Sequence, residues 1–133
     1  MKLVFLDTVG LLALWNTADQ WHASAHDAFS KIMANRQPFT TTSLILLECG
    51  NAAARRPYRN EVNSLRIKME LRSELIIPTE DDYLQAWNAY DRGEAGQAGI
   101  IDLISFQVMR RVGIQEAFTN DKHFQAAGFT ILF

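Results

Sequence analysis

Asp7, Glu48, Asp102 and Asp121 stand where the pattern of this chain places strand ends and helix starts, and together they could form one acidic cluster holding a divalent metal. In an open parallel sheet, residues just past the carboxyl ends of neighbouring strands converge in one crevice even when they are far apart in sequence. Carboxylates brought that close repel one another, and some are driven toward the protonated form unless a cation neutralises the group. A ligand set of oxygens, with no Cys or His, suits Mg²⁺ or Mn²⁺ rather than zinc. The chemistry expected is therefore metal-dependent and directed at a phosphate-bearing substrate.

Each acid also has a plain structural reading. Asp7 and Asp102 can serve as helix-start residues, and Asp121 beside Asn120 can form an Asx turn. Glu48 is different, because it lies between Leu47 and Cys49 in an apolar helix, where burying an unpaired carboxylate is costly. Four separate explanations are needed where one metal site suffices. Acids at strand ends nevertheless describe several doubly wound folds, phosphoacceptor receiver domains and sugar-phosphate phosphatases among them. Other candidates carry less. His22 and His26 are one helical turn apart, as zinc pairs are, but no third ligand stands at a supporting spacing. The single Cys49 has no internal disulfide partner and reads as a small buried packing residue.

The elements that must position these acids alternate between strand and helix. Residues 2–6 read as a buried strand ending at Asp7, and Leu11, Leu12, Leu14 and Trp15 give the following short helix an apolar side. The stretch 16–19 supplies turn and cap residues for a second helix bearing Trp21, Ala25, Ala28, Phe29, Ile32 and Met33. Residues 39–42 form a Thr-rich second strand, and Thr42 or Ser43 caps a helix from 44 to about 56 that carries Glu48. After Pro57, residues 58–73 make a basic amphipathic helix with Val62, Leu65, Met69 and Leu71 as its apolar positions. A third strand at 75–77 ends at Pro78, and the acidic run after Thr79 starts a helix that reaches about Tyr90. Residues 91–99 form a glycine-bearing loop, and Asp102 opens a helix that stops at Gly113. Residues 116–119 and 128–133 supply two last strands. Strands separated by helices imply right-handed crossovers and a parallel sheet covered on both faces, hence an α/β chain whose residues 1–133 form a single three-layer domain.

Composition agrees. An apolar content of 48% with 21% charged residues excludes disorder, and 133 residues suffice for one hydrophobic core but not comfortably two. No apolar run approaches the roughly 18 to 20 residues that span a bilayer. The start of the chain lacks signal-peptide regions, so a cytoplasmic location without membrane association is expected. A net charge of −2 does not advertise nucleic-acid binding, but Arg55, Arg56, Arg59, Arg66, Lys68 and Arg72 face only Glu61 and Glu70, making one helical region locally basic.

Several of these stretches together resemble the PIN-domain ribonucleases, and among them toxins of the VapC type, over nearly the whole chain. The run from Leu3 through Asp7-Thr8 is similar to the family's first strand and first metal-binding Asp, with Val9 and Gly10 in place of the small polar or aromatic residues often found there. Thr41-Thr42, Leu44, Leu46-Leu47 and Glu48 resemble its Thr-Thr segment and Glu, and Tyr90-Asp91 with Asp102 and Ser105 to Arg111 resembles the stretch bearing the third acid. The run from Ala117 to Phe124, with Asn120-Asp121 and His123-Phe124, and then Ala127-Gly128-Phe129, is similar to its closing signature. Ile101 departs from the Thr that commonly precedes the third Asp, which weakens outer support of Asp102 without removing a ligand.

The resemblance implies a PIN-like parallel sheet flanked by helices, Mg²⁺ or Mn²⁺ as cofactor, and endonucleolytic cleavage of RNA. Asp7, Glu48, Asp102 and Asp121 become the catalytic and metal-binding set. For toxin members it implies a cognate antitoxin protein and a homodimer, for which apolar surface on the early helices is available. Arg55, Arg56, Arg59, Lys122 and His123 are the candidate contacts to RNA or partner. The alternatives are an inactive PIN-fold RNA-binding or assembly module and a receiver domain. The receiver expects adjacent acids after its first strand and a late Lys, neither of which this chain has.

Overall fold

A computed structural model describes residues 2–133. Five strands, β1 (Val4–Leu6), β2 (Phe39–Thr42), β3 (Leu75–Ile76), β4 (Glu116–Phe118) and β5 (Thr130–Ile131), form one parallel sheet in the order β3-β2-β1-β4-β5. Among the described residues eight helices accompany them: α1 (Thr8–Trp15), α2 (His22–Ala34), α3 (Ser43–Ala52), α4 (Arg59–Leu71), α5 (Glu80–Asp91), α6 (Glu94–Gln97), α7 (Ile100–Val112) and α8 (Lys122–Ala126). The strand order reverses between β1 and β4, and the crevice beyond the carboxyl ends of those two strands is where open α/β sheets bind ligands. A receiver-type sheet runs 2-1-3-4-5, so this topology sets that alternative aside.

β1 is fully buried, as a strand flanked on both sides and covered on both faces must be. Its register pairs Leu6 with Phe118 on β4, so the next residues along, Asp7 and Thr119, stand side by side. On the other flank, the buried Thr41 hydroxyl donates to the Leu6 carbonyl at 2.6 Å, and Thr42 caps α3 by accepting from the Ile45 N–H at 3.2 Å. The core continues through Phe5, Ile45, Met69, Phe106, Phe118 and Phe124, all below 2% exposed.

Two contacts place the helices that carry the acids. Gly10 brings α1 against the end of β4 so closely that an added Cβ would lie 2.1 Å from the Phe118 carbonyl oxygen. Only glycine permits that approach. At the far end of α7, Arg111 donates from two nitrogens to the two carboxylate oxygens of Asp82 on α5, at 2.9 and 2.7 Å. Asp82 also closes a capping box with Thr79, and its carboxyl is held below the ordinary range, first by the Arg111 hydrogen bond.

Four details depart from the sequence reading. Leu71 is 82% exposed rather than part of the α4 core stripe, which runs through Val62, Leu65 and Met69. Asp19 makes an Asx turn to the Trp21 N–H and does not cap α2, whose N-cap is Trp21. The 91–99 loop contains a helical turn, α6, with left-handed dihedrals at Ala95 and Gly96, and α8 lies between β4 and β5, where the sequence pattern marks no element.

Asp82→Asn is expected to lower unfolding free energy by about 1–2 kcal/mol, the half-exposed guanidinium being partly screened. Because folding lowers the Asp82 pKa, its contribution is complete above the unfolded value near 4 and is lost as pH falls through the folded one, so the gap between variant and wild type in denaturant titrations should close in acid. Gly10→Ala should cost about 1–3 kcal/mol in the same measurement, opposite in sign to its gain in helix propensity.

Candidate metal centre

Asp7 leaves β1 and caps α1, its Oδ2 accepting from the Val9 N–H at 3.3 Å. The same oxygen accepts from the Thr119 hydroxyl at 2.8 Å. Thr119 Oγ1 in turn accepts from the Asp121 N–H at 3.1 Å, so one buried hydroxyl ties the first acid to the last. Asp121 caps α8, with its Oδ1 accepting from the His123 N–H at 2.9 Å and lying 2.9 Å from His123 Nδ1. Asp102 stands in the first turn of α7, where the helix dipole favours its charge. Asp102, Asp121 and His123 each offer a ligand atom within 4.8 Å of the other two.

Asp7 is 2% exposed, and burial pushes its carboxyl up to about 7. The Thr119 hydrogen bond opposes that rise, whereas the charges of Asp102 and Asp121 add to it. Asp102 is raised to about 6, again by burial first and then by the Asp121 charge. Glu48 raises it further, and His123 pulls it down. Asp102 and Asp121 converge with His123 at ligand spacing, and Asp7 beside them feels the charges of both acids, a carboxylate-rich donor set that fits a divalent cation.

Glu48 arrives differently from the sequence expectation. It is exposed, not buried in an apolar helix, because α3 turns Glu48 and the 69%-exposed Leu47 outward while Ile45, Leu46 and Cys49 face the core. Its Oε1 accepts a hydrogen bond from the Thr8 hydroxyl, which tethers it beside Asp7. Cys49 beneath it is buried, with its thiol pushed up to about 12 by burial, and stays protonated, in keeping with a packing role.

The basic candidates divide. Arg55, Arg56 and Lys122 are exposed and make no ion pair among the described residues, and Arg59 donates to the Ala54 carbonyl at 2.9 Å. His123 hydrogen-bonds beside Asp121, as its place two residues on predicts, and so stands within the acidic cluster itself. The hydroxyls of Thr8 and Thr119 were missed as site residues. Their position beside Asp7 and two residues before Asp121 was the available signal, since short hydroxyl side chains at strand ends hydrogen-bond locally. His22 does not form a metal site with His26, its Nδ1 lying 2.9 Å from the Ala13 carbonyl.

In the metal-free protein, Asp7 keeps between about pH 4 and 7 a proton that the unfolded chain has already lost, so stability contributed by this group falls as pH rises through that window. Asn in its place can keep both hydrogen bonds on Oδ1. Asp7→Asn should therefore stabilise the metal-free protein above pH 7 by about 1–3 kcal/mol, with the gain fading toward pH 4 in thermal or denaturant melts.

Comparison with known proteins agrees with this geometry. The model of the PIN domain family matches residues 4–130. The 23S rRNA-specific endonuclease VapC20, in two strains of Mycobacterium tuberculosis, is 32% identical over 136 residues, covering 96% of this chain and 95% of the relative. The crystal structure of Mycobacterium tuberculosis VapC20, described as a sarcin-ricin loop cleaving toxin, superposes with a TM-score of 0.77 at 29% identity over 96% of both chains. FitAcB from Neisseria gonorrhoeae, at 13% identity and a TM-score of 0.65 over 98% of this chain and 96% of its own, shares the fold. With the matching model running from β1 into β5, the chain belongs to the PIN domain family.

Proposed function

We propose that this protein is a metal-dependent endoribonuclease, the toxin of a type II toxin–antitoxin pair, acting as one domain over residues 1–133. The observation that carries the reading is the meeting of Asp102, Asp121 and His123 within 4.8 Å beyond the switch point of the sheet, with Asp7 near enough to feel the charges of both acids and Glu48 tethered at the rim through Thr8. Asp7, Glu48, Asp102 and Asp121 are the residues that would hold Mg²⁺ or Mn²⁺. Bound there, the cation supplies Lewis-acid polarisation of the phosphate and a lowered pKa for water.

The remaining steps belong to the chain. Asp121 orients a water for in-line attack on phosphorus; the water gives up a proton to solvent as the new P–O bond forms, the bond to the departing ribose oxygen breaks, and that oxygen takes up a proton from solvent. Thr119 keeps Asp7 and Asp121 in fixed relation while this happens. Arg55, Arg56, Arg59 and Lys122 lie on exposed surface suited to phosphate contact. The similarity to VapC20 makes a ribosomal RNA stem-loop the substrate class to test first.

An antitoxin segment finds apolar surface in the open cavity of about 760 Å³ between α3 and α4, where Leu46, Leu47, Val62 and Leu75 meet polar Ser43 and Asn51. Exposed Trp21, the N-cap of α2, and Met33 near its other end leave surface for a homodimer. Among the described residues no helix is long and apolar enough to cross a membrane, and the cytoplasm, where ribosomal RNA is found, is the proposed place of action.

Purified, partner-free protein should cut ribosomal RNA with Mn²⁺ or Mg²⁺, stop on addition of EDTA, and lose cleavage at least about 100-fold on Asp102→Asn. Undiminished cleavage by the variant would remove the proposed site. Intact RNA with cation-loaded wild type would instead favour a non-catalytic RNA-binding or assembly module.

A further inference from the structure

His123 is the one nitrogen donor in a cluster otherwise made of carboxylates. Its Nδ1 and Asp121 Oδ1 are 2.9 Å apart, and both residues share with Asp102 a set of ligand atoms no more than 4.8 Å from one another. Around a cation with metal–ligand bonds of about 2.1 Å, neighbouring octahedral ligands are separated by about 3 Å and opposite ones by about 4.2 Å. The 2.9 Å pair stands at the spacing of adjacent ligands, and the 4.8 Å bound on the set lies a little beyond that of opposite ones, so a small closure brings the three side chains around one ion.

The imidazole is not needed to hold Asp121 in place. Oδ1 of that residue is anchored by the His123 backbone N–H at 2.9 Å, and the Asp121 backbone is anchored by Thr119 at 3.1 Å. The ring is half-exposed, with 44% of its side-chain surface open to solvent, and its Cδ2 edge faces Gly96 of the α6 turn. A ring held loosely on one side and aimed at two carboxylates on the other is free to exchange its hydrogen bond for a coordinate bond.

We propose that His123 coordinates the cation through Nδ1 alongside Asp102 and Asp121, giving this site a preference for Mn²⁺ over Mg²⁺. The inference rests on the metal-dependent reading above. Coordination requires the Nδ1 lone pair, so the metal-bound ring carries its proton on Nε2. Both ions take carboxylates, but Mg²⁺ demands oxygen ligands and holds its waters, whereas Mn²⁺, a transition-metal ion, accepts an imidazole nitrogen more readily than Mg²⁺ does.

Pulsed electron paramagnetic resonance of the wild-type protein loaded with Mn²⁺, with calorimetric titration of Mn²⁺ and Mg²⁺ into wild type and His123→Gln, tests this directly. The expected result is a nitrogen hyperfine coupling on bound Mn²⁺ that disappears in the variant, with Mn²⁺ affinity lowered about 10-fold or more and Mg²⁺ affinity changed less than about 3-fold. Bound Mn²⁺ without nitrogen coupling in the wild type, or equal losses for both ions, would overturn the proposal while leaving the nuclease reading intact if RNA is still cut. Failure of the wild type to bind either ion would overturn both.

Discussion

The buried Thr119 hydroxyl is the contact on which the arrangement of the acids depends. Parallel pairing of β1 with β4 sets Asp7 beside Thr119, and the hydroxyl gives its proton to Asp7 while receiving the Asp121 N–H. A carboxyl as enclosed as Asp7 is otherwise poorly placed to ionise, because removal from water penalises its charge and two neighbouring acids repel it. Hydrogen bonds from Thr119 and Val9 offset part of that penalty. The site is therefore held in a state of partial electrostatic conflict, which a cation would relieve.

The surrounding scaffold keeps the conflict from being relaxed by movement. Gly10 lets α1 approach the end of β4 with no intervening side chain, so Asp7 cannot drift from Thr119. The double hydrogen bond between Arg111 and Asp82 secures α7 to α5 at the end opposite Asp102. Glu94 adds a third restraint, pairing with Arg92 at 2.8 Å and with Arg110 at 3.5 Å, while Arg110 reaches the Ala127 carbonyl beyond α8. A packed interior transmits such restraints because its elements are close-fitted and resist small shifts.

Glu48 stands apart from this rigid set. It is exposed on α3 and held beside Asp7 through the Thr8 hydroxyl. An acid in that setting can follow a substrate or cation more freely than Asp7 can. The cluster accordingly combines a fixed floor, made by Asp7, Asp102 and Asp121, with an adjustable rim.

Much of this was legible in the residues alone. Switches between strand-like and helical periodicity located Asp7, Asp102 and Asp121 at element boundaries, and Thr42, Thr79 and Gly113 act as the helix signals they resemble. Periodicity did not reveal which side of α3 carries Glu48, because apolar Leu47 and Leu46 look alike in sequence and only packing distinguishes them. The five-residue α8 is too short for a periodic signal, and the left-handed turn of α6 has no pattern that announces it beyond its glycines. Caps, breaks and periodicities are local, so the sequence by itself determined the elements and the acids at their ends. Sheet register and helix packing act across the whole chain, so only the tertiary structure decided that Thr119 bridges Asp7 and Asp121, that Glu48 lies at the rim, and that His123 joins the carboxylates.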